Sequence, residues 1–127
     1  MKLLLDSHAF IWWHQDKKRL SAEVMEACEN PANDLYLSLA SVWEMQIKTN
    51  MGKLRLAGTL PIAITKQRDQ GLQLLDIRPE HIYATAGLPP IHGDPFDRLL
   101  VAQAMSENMT LVTADLKLAR YPTPTLW

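Results

Sequence analysis

The sequence predicts an α/β domain with a mainly parallel sheet and helices on both of its faces. Short apolar runs alternate with segments of helical periodicity along the whole chain. No internal repeat, low-complexity tract or linker interrupts that alternation, and 127 residues suffice for one hydrophobic core but not for a second of useful size. Residues 1–127 are therefore expected to form a single domain.

The apolar run Lys2–Leu5 reads as a buried strand, with Asp6 at its carboxyl end before a turn or helix. Ser21 is a plausible cap for a helix that Asn30-Pro31 closes. Residues 35–39, Leu-Tyr-Leu-Ser-Leu, read as a second strand. From Ser41 the pattern turns helical to about Thr49, placing Glu44 in the opening turns, and Asn50-Met51-Gly52 provides the stop. A further amphipathic helix runs from Leu60, with Pro61 in its first turn, to Gln70 before Gly71, and residues 72–77 form a third strand. A helix near Pro79 to Ala86 follows. The breaker-rich stretch from Leu88 leads into a helix capped by Asp94 with Pro95 in first position, which puts Asp97 in its first turn. Residues 111–113 are a fourth strand, Ala114-Asp115 the turn after it, Leu116 to Arg120 a short helix, and Thr125-Leu126 a terminal strand.

Composition narrows the functional classes. With 47% hydrophobic and 21% charged residues the chain is ordinary globular protein, far from a disordered profile. The run Leu3–Leu5 is too short for a signal-peptide core or a membrane span, so a cytoplasmic protein with no membrane partner is expected. Cys28 is alone, which excludes an internal disulfide and any zinc site built on several cysteines. A metal here would be held by oxygen. The net charge of -1 offers no overall attraction to a polyanion, leaving that task to local basic groups and to metal.

Parallel sheets bind ligands outside the carboxyl ends of their strands, because strand-to-helix turns deliver polar groups there. Asp6, Asp115 and, through its helix, Glu44 fall at such ends, and Asp97 can lean over the same edge. Crowded carboxylates repel and raise one another's pKa unless a cation neutralises them. Mg²⁺ or Mn²⁺ is the natural partner: both prefer oxygen ligands and keep coordination positions open for phosphate, which suits phosphodiester hydrolysis. Each acid has a plainer reading too. Asp6 and Asp115 could be turn residues, Glu44 could complete a capping box with Ser41 or pair with Lys48, and Asp97 could complement a helix dipole behind the cap Asp94. It is the set of four that favours a metal site.

The segments Leu4-Leu-Asp6-Ser-His, residues 38–44 ending in Trp43-Glu44, residues 92–104 with Asp94-Pro-Phe-Asp97-Arg, and Leu111-Val-Thr-Ala-Asp115 together resemble the PIN-domain family, and within it the VapC-type toxins of bacterial toxin–antitoxin pairs. The match runs almost end to end. The resemblance implies metal-binding, catalytic acids at Asp6, Glu44, Asp97 and Asp115, with a supporting hydroxyl at Thr113. It also implies a five-stranded parallel sheet in a three-layer α/β/α sandwich, homodimerisation, cleavage of RNA, and inhibition by a cognate antitoxin protein that inserts a segment into the active-site groove. Of the two acids in the third motif, Asp97 is taken as the metal ligand because its distance to Ala102 and Ala104 suits the family's helix. Asp94 is then a supporting residue orienting a water or Arg98. Arg98 could bind phosphate or an antitoxin acid, or pair with a nearby carboxylate.

Lys17, Lys18, Arg19, Lys48, Lys53, Arg55, Lys117 and Arg120 could line an RNA path or simply solvate the surface. The spacing of Trp12, Trp13 and Trp43 suits core or dimer packing on helix faces better than base stacking. The four histidines lack the paired spacing of metal ligands, so none is assigned to metal. The expected function is that of a metal-dependent endoribonuclease toxin. A non-catalytic module binding RNA or antitoxin, and a Mg²⁺-dependent phosphoacceptor domain, are the alternatives, although the latter normally needs an acid pair after the first strand.

Overall fold

In the computed structural model, which describes Met1–Trp127, the leucine run forms the central strand β1 (Lys2–Leu5) of a five-stranded sheet ordered β3-β2-β1-β4-β5. The other strands are β2 (Asp34–Ser38), β3 (Gln73–Leu75), β4 (Thr110–Val112) and β5 (Thr125–Leu126), and every neighbouring pair is parallel. Leu4 lies in register with Tyr36 on one side and Leu111 on the other. A strand flanked by partners and covered on both faces can expose no polar side chain, which is why β1 reads as an unbroken apolar run rather than an alternation.

Alternate residues of β1 feed two cores. Leu3 and Leu5 pack with Phe10 and Trp13 of α1 (Ser7–Gln15), Val24 and Cys28 of α2 (Ala22–Glu29), Met45 of α3 (Leu39–Asn50) and Ala63 of α4 (Leu60–Asp69). Leu4 faces the opposite way, against Leu100, Val101 and Ala104 of α6 (Pro95–Ser106), with Leu111, Leu118 and Tyr121. The short helix α5 (Pro79–Ala84) packs on α6. The result is the expected three-layer α/β/α sandwich. No helix is long and apolar enough to cross a membrane.

The helix starts follow local chemistry. Asp6 accepts from Ala9 N–H, Ser21 from Val24, Thr59 from Ile62, and Asp94 from Phe96 and Asp97, each filling donors that a helix leaves unpaired at its first turn. One start differs from the expected position. Helix α3 begins directly after β2, capped by Ser38 through Ala40 N–H, so Ser41 lies inside the helix and the Ser41–Glu44 capping box does not form. The buried Ser41 Oγ has no hydrogen-bond partner. Gly52 ends the segment at φ +70°, a left-handed conformation that costs glycine nothing. The third strand is shorter than residues 72–77, and the segment expected to be helical from Leu116 contracts to a 3₁₀ turn at Leu118–Arg120.

Candidate active site

The carboxyl ends of β1, β2 and β4 open into a pocket of about 360 Å³ lined by Asp6, Glu44, Asp94, Asp97 and Asp115, with Ser7, His8, Trp12, Lys48 and Ala114. The four acids singled out in the sequence, distant along the chain, thus share one cleft. Asp6 follows β1 and is 6% exposed; it caps α1 through Oδ1, which accepts from Ala9 N–H at 2.8 Å. Glu44 projects from α3, 7% exposed, and both its oxygens are engaged, Oε1 by the Ser7 hydroxyl at 2.5 Å and Oε2 by Lys48 Nζ at 3.1 Å. Asp97 reaches in from the first turn of α6, and Asp115 from the turn after β4, where its Oδ1 accepts from Lys117 N–H.

These surroundings perturb two of the acids. Asp97 is pushed up to about 7, first by burial and then by the negative charges of Asp94 and Glu44, with His92 acting in the opposite direction. Asp6 is raised as well, chiefly by burial, against hydrogen bonds from the Thr113 side chain and from Ala9 N–H. Burial is the first cause at both carboxyls, and the charge of neighbouring acids, Glu44 for both and Asp94 for Asp97, adds to it. All these donors are hard oxygens, so they fit Mg²⁺ or Mn²⁺ and do not fit a soft metal. The thiol of Cys28 belongs to the core, and burial pushes it up to about 11, so it is no nucleophile.

The supporting residues take distinct places. Thr113 follows β4, where its Oγ1 accepts from the backbone N–H of Asp115 at 3.0 Å, and its side chain lowers the Asp6 pKa against the effect of burial. Asp94 is both helix cap and pocket wall. Arg98 is neither at the pocket nor paired to a carboxylate. Its guanidinium donates to the carbonyls of Thr85, Leu88 and Pro89 and to Tyr121 Oη, tying down the loop that precedes α6, because a planar fork of donors suits carbonyls that a loop leaves unpaired. Among the basic residues, Lys48 lines the pocket, whereas Lys17 and Arg19 lie over the rings of Trp13 and Trp12. Trp13 joins the core; Trp43 is 58% exposed.

His92 is the residue that sequence reasoning passed over. Its Nε2 is 3.0 Å from Asp115 Oδ2 and 3.3 Å from Asp97 Oδ2, and these three side chains offer polar atoms all within 4.8 Å of one another. Spacing between histidines could not reveal this, since its partners are acids contributed by α6 and by the turn after β4. The available signal was its place in the loop just before the Asp94 cap, which ends at the pocket.

The chain as a whole is similar to known proteins. A family model described as PIN domain matches residues 3–124. The chain is 32% identical over 130 residues to Ribonuclease VapC22 of Mycobacterium tuberculosis, with 98% of each covered. Among solved structures, VapBC2 from Rickettsia felis bound to a promoter DNA fragment superposes with TM-score 0.73 at 18% identity, covering 99% of this chain and 98% of that one. DNA-bound VapBC from Salmonella typhimurium gives 0.68 at 18% identity, covering 100% and 97%. The match of the family model along nearly the full length, together with a relative of that identity and coverage, establishes that the chain belongs to the PIN-domain family.

Proposed function

We propose that this protein is a divalent-metal-dependent endoribonuclease, the toxin of a toxin–antitoxin pair, which hydrolyses RNA phosphodiester bonds at the pocket of Asp6, Glu44, Asp97 and Asp115. The observation that carries the reading is the convergence of these acids on one cleft, with Asp97 raised to about 7, in a chain whose full-length relative is a ribonuclease.

Asp6, Asp97 and Asp115, with Glu44, are the groups that would hold Mg²⁺ or Mn²⁺. When bound, the ion supplies charge neutralisation for a phosphate and a water acidic enough to act as nucleophile near neutral pH. The chain does the rest. Asp97, raised to about 7, retains a proton at neutral pH and below that it would have to release to hold the cation. Ser7 and Lys48 hold Glu44 in a single orientation by occupying both of its oxygens. Lys48, whose side chain is 41% exposed, is the cation at the pocket rim best placed to meet a phosphate.

The reading extends to partners. A second copy of the chain and an antitoxin both require apolar surface, and Trp43, Ile82, Tyr83 and Leu116 are exposed. Trp12 lines the pocket, so a protein covering its entrance meets an apolar ring beside the acids. The test is cleavage of RNA by the purified chain. Cleavage with Mg²⁺ or Mn²⁺ is expected, with none in EDTA and none in a folded Asp6→Asn variant. Full cleavage in EDTA, or in that variant, contradicts the assignment.

A further inference from the structure

His92 Nδ1 accepts the backbone N–H of Asp94 at 3.0 Å. A nitrogen that accepts cannot carry the proton, so the neutral ring carries it on Nε2. That N–H donates to Asp115 Oδ2 at 3.0 Å, while Asp97 Oδ2 lies 3.3 Å from the same nitrogen, close enough to feel the positive end of the N–H dipole but not hydrogen-bonded to it. Nε2 therefore has no lone pair for a metal. His92 is a donor to Asp115, not a ligand beside it. The ring is fixed from behind as well: its backbone N–H donates to Tyr121 Oη at 2.8 Å, and Arg98 secures the loop on which it stands.

Asp115 is where such a donor matters most. Its side chain is 37% exposed, against 21% for Asp97 and 9% for Glu44. Apart from the His92 ring, only the Lys117 N–H, on Oδ1, holds its carboxylate. Repulsion from Asp97 and from the other pocket acids drives an untethered Asp115 toward solvent. The His92 N–H, donated to Asp115 with Asp97 close by, offsets that repulsion.

We infer that His92 is a positioning residue, its Nε2–H donating to Asp115 beside Asp97 so that the Asp115 carboxylate is held toward the pocket for the divalent cation. This rests on the metal-site reading above, and the experiment separates the two. Binding of Mn²⁺ alone is titrated into the full chain, into Asp97→Asn, and into His92→Phe and His92→Gln. Partners that orient metal ligands typically contribute about 10- to 100-fold in affinity, and a loss of that size is expected in His92→Phe. His92→Gln, which can place an N–H at the same reach, should recover most of it. Because a glutamine oxygen can itself bind Mn²⁺, a ligating ring is distinguished by its tautomer. Loss in Asp97→Asn with full affinity in His92→Phe overturns the role of His92 while leaving the metal site intact. Equal loss in the Phe and Gln variants overturns the donor role. Full affinity in Asp97→Asn overturns the metal site, and this inference with it. Independently of folding in any variant and of metal, long-range ¹H–¹⁵N correlation on the unsubstituted protein at mildly alkaline pH should find His92 as the Nε2–H tautomer; the Nδ1–H tautomer overturns the inference.

Discussion

Two sides of the same pocket are held in different ways. Asp6, directly after the central strand, and Glu44, on α3, are almost fully buried, and their partners Ser7 and Ala9 are buried with them. Asp97 and Asp115 come from a helix end and a turn, are more exposed, and meet at His92, which stands on a loop. The buried side is fixed by the fold. The outer side depends on a donor that the fold must bring in from elsewhere, and it contains the acid raised to about 7.

The largest effect should come from the outer side. Asp97→Asn is expected to lower the rate of RNA cleavage about 1000-fold or more, as removal of one member of a cooperating set does, with circular dichroism unchanged. Activity within about tenfold of the unsubstituted chain would show that Asp97 is dispensable. On the buried side the expected cost falls on stability. Ser7→Ala leaves Glu44 Oε1 without its donor, and denaturant unfolding should register about 1.5–3 kcal/mol. A change below about 0.5 kcal/mol would mean that this bond does not hold Glu44 in solution.

How far each side was legible in the sequence follows the same division. Asp6 directly after an apolar run, Asp94-Pro95 at a helix start and Asp115 after a strand are local signals, and the structure puts each where local chemistry predicts. The parallel sheet was legible because strand-like runs alternate with helical segments along the chain. Ser38 and Ser41 were harder to separate. Both are candidate caps, and the choice depends on where β2 stops being paired, which is set by β1 and β3 rather than by the serines. The contacts of His92 and Arg98 were illegible for a related reason: both act on groups brought near by the packing of α6 and β4.

The outer side also gives stability a dependence on pH. The Asp97 carboxyl has its pKa raised from 3.8 to about 7 in the folded chain, so between those values the fold retains a proton that the unfolded chain has lost. Its contribution to stability is full below 3.8 and is lost as pH rises to about 7. In chelator, the midpoint of thermal unfolding should therefore fall over that window, and fall less steeply in Asp97→Asn. Identical slopes would contradict the raised value. Smallest of all is Lys48→Ala, which removes a partly exposed ion pair with Glu44 and should shift stability by no more than about 0.5 kcal/mol. A shift of about 2 kcal/mol would place Lys48 with Ser7 as a support of the buried side.

Anomalous diffraction from crystals grown with Mn²⁺ tests the central claim most directly. The account predicts a peak in the pocket at about 2.0–2.2 Å from carboxylate oxygens of Asp6 and Asp97, with Glu44 or Asp115 bound directly or through water. A fully bound ion elsewhere on the chain, with the pocket empty at saturating Mn²⁺, would contradict it.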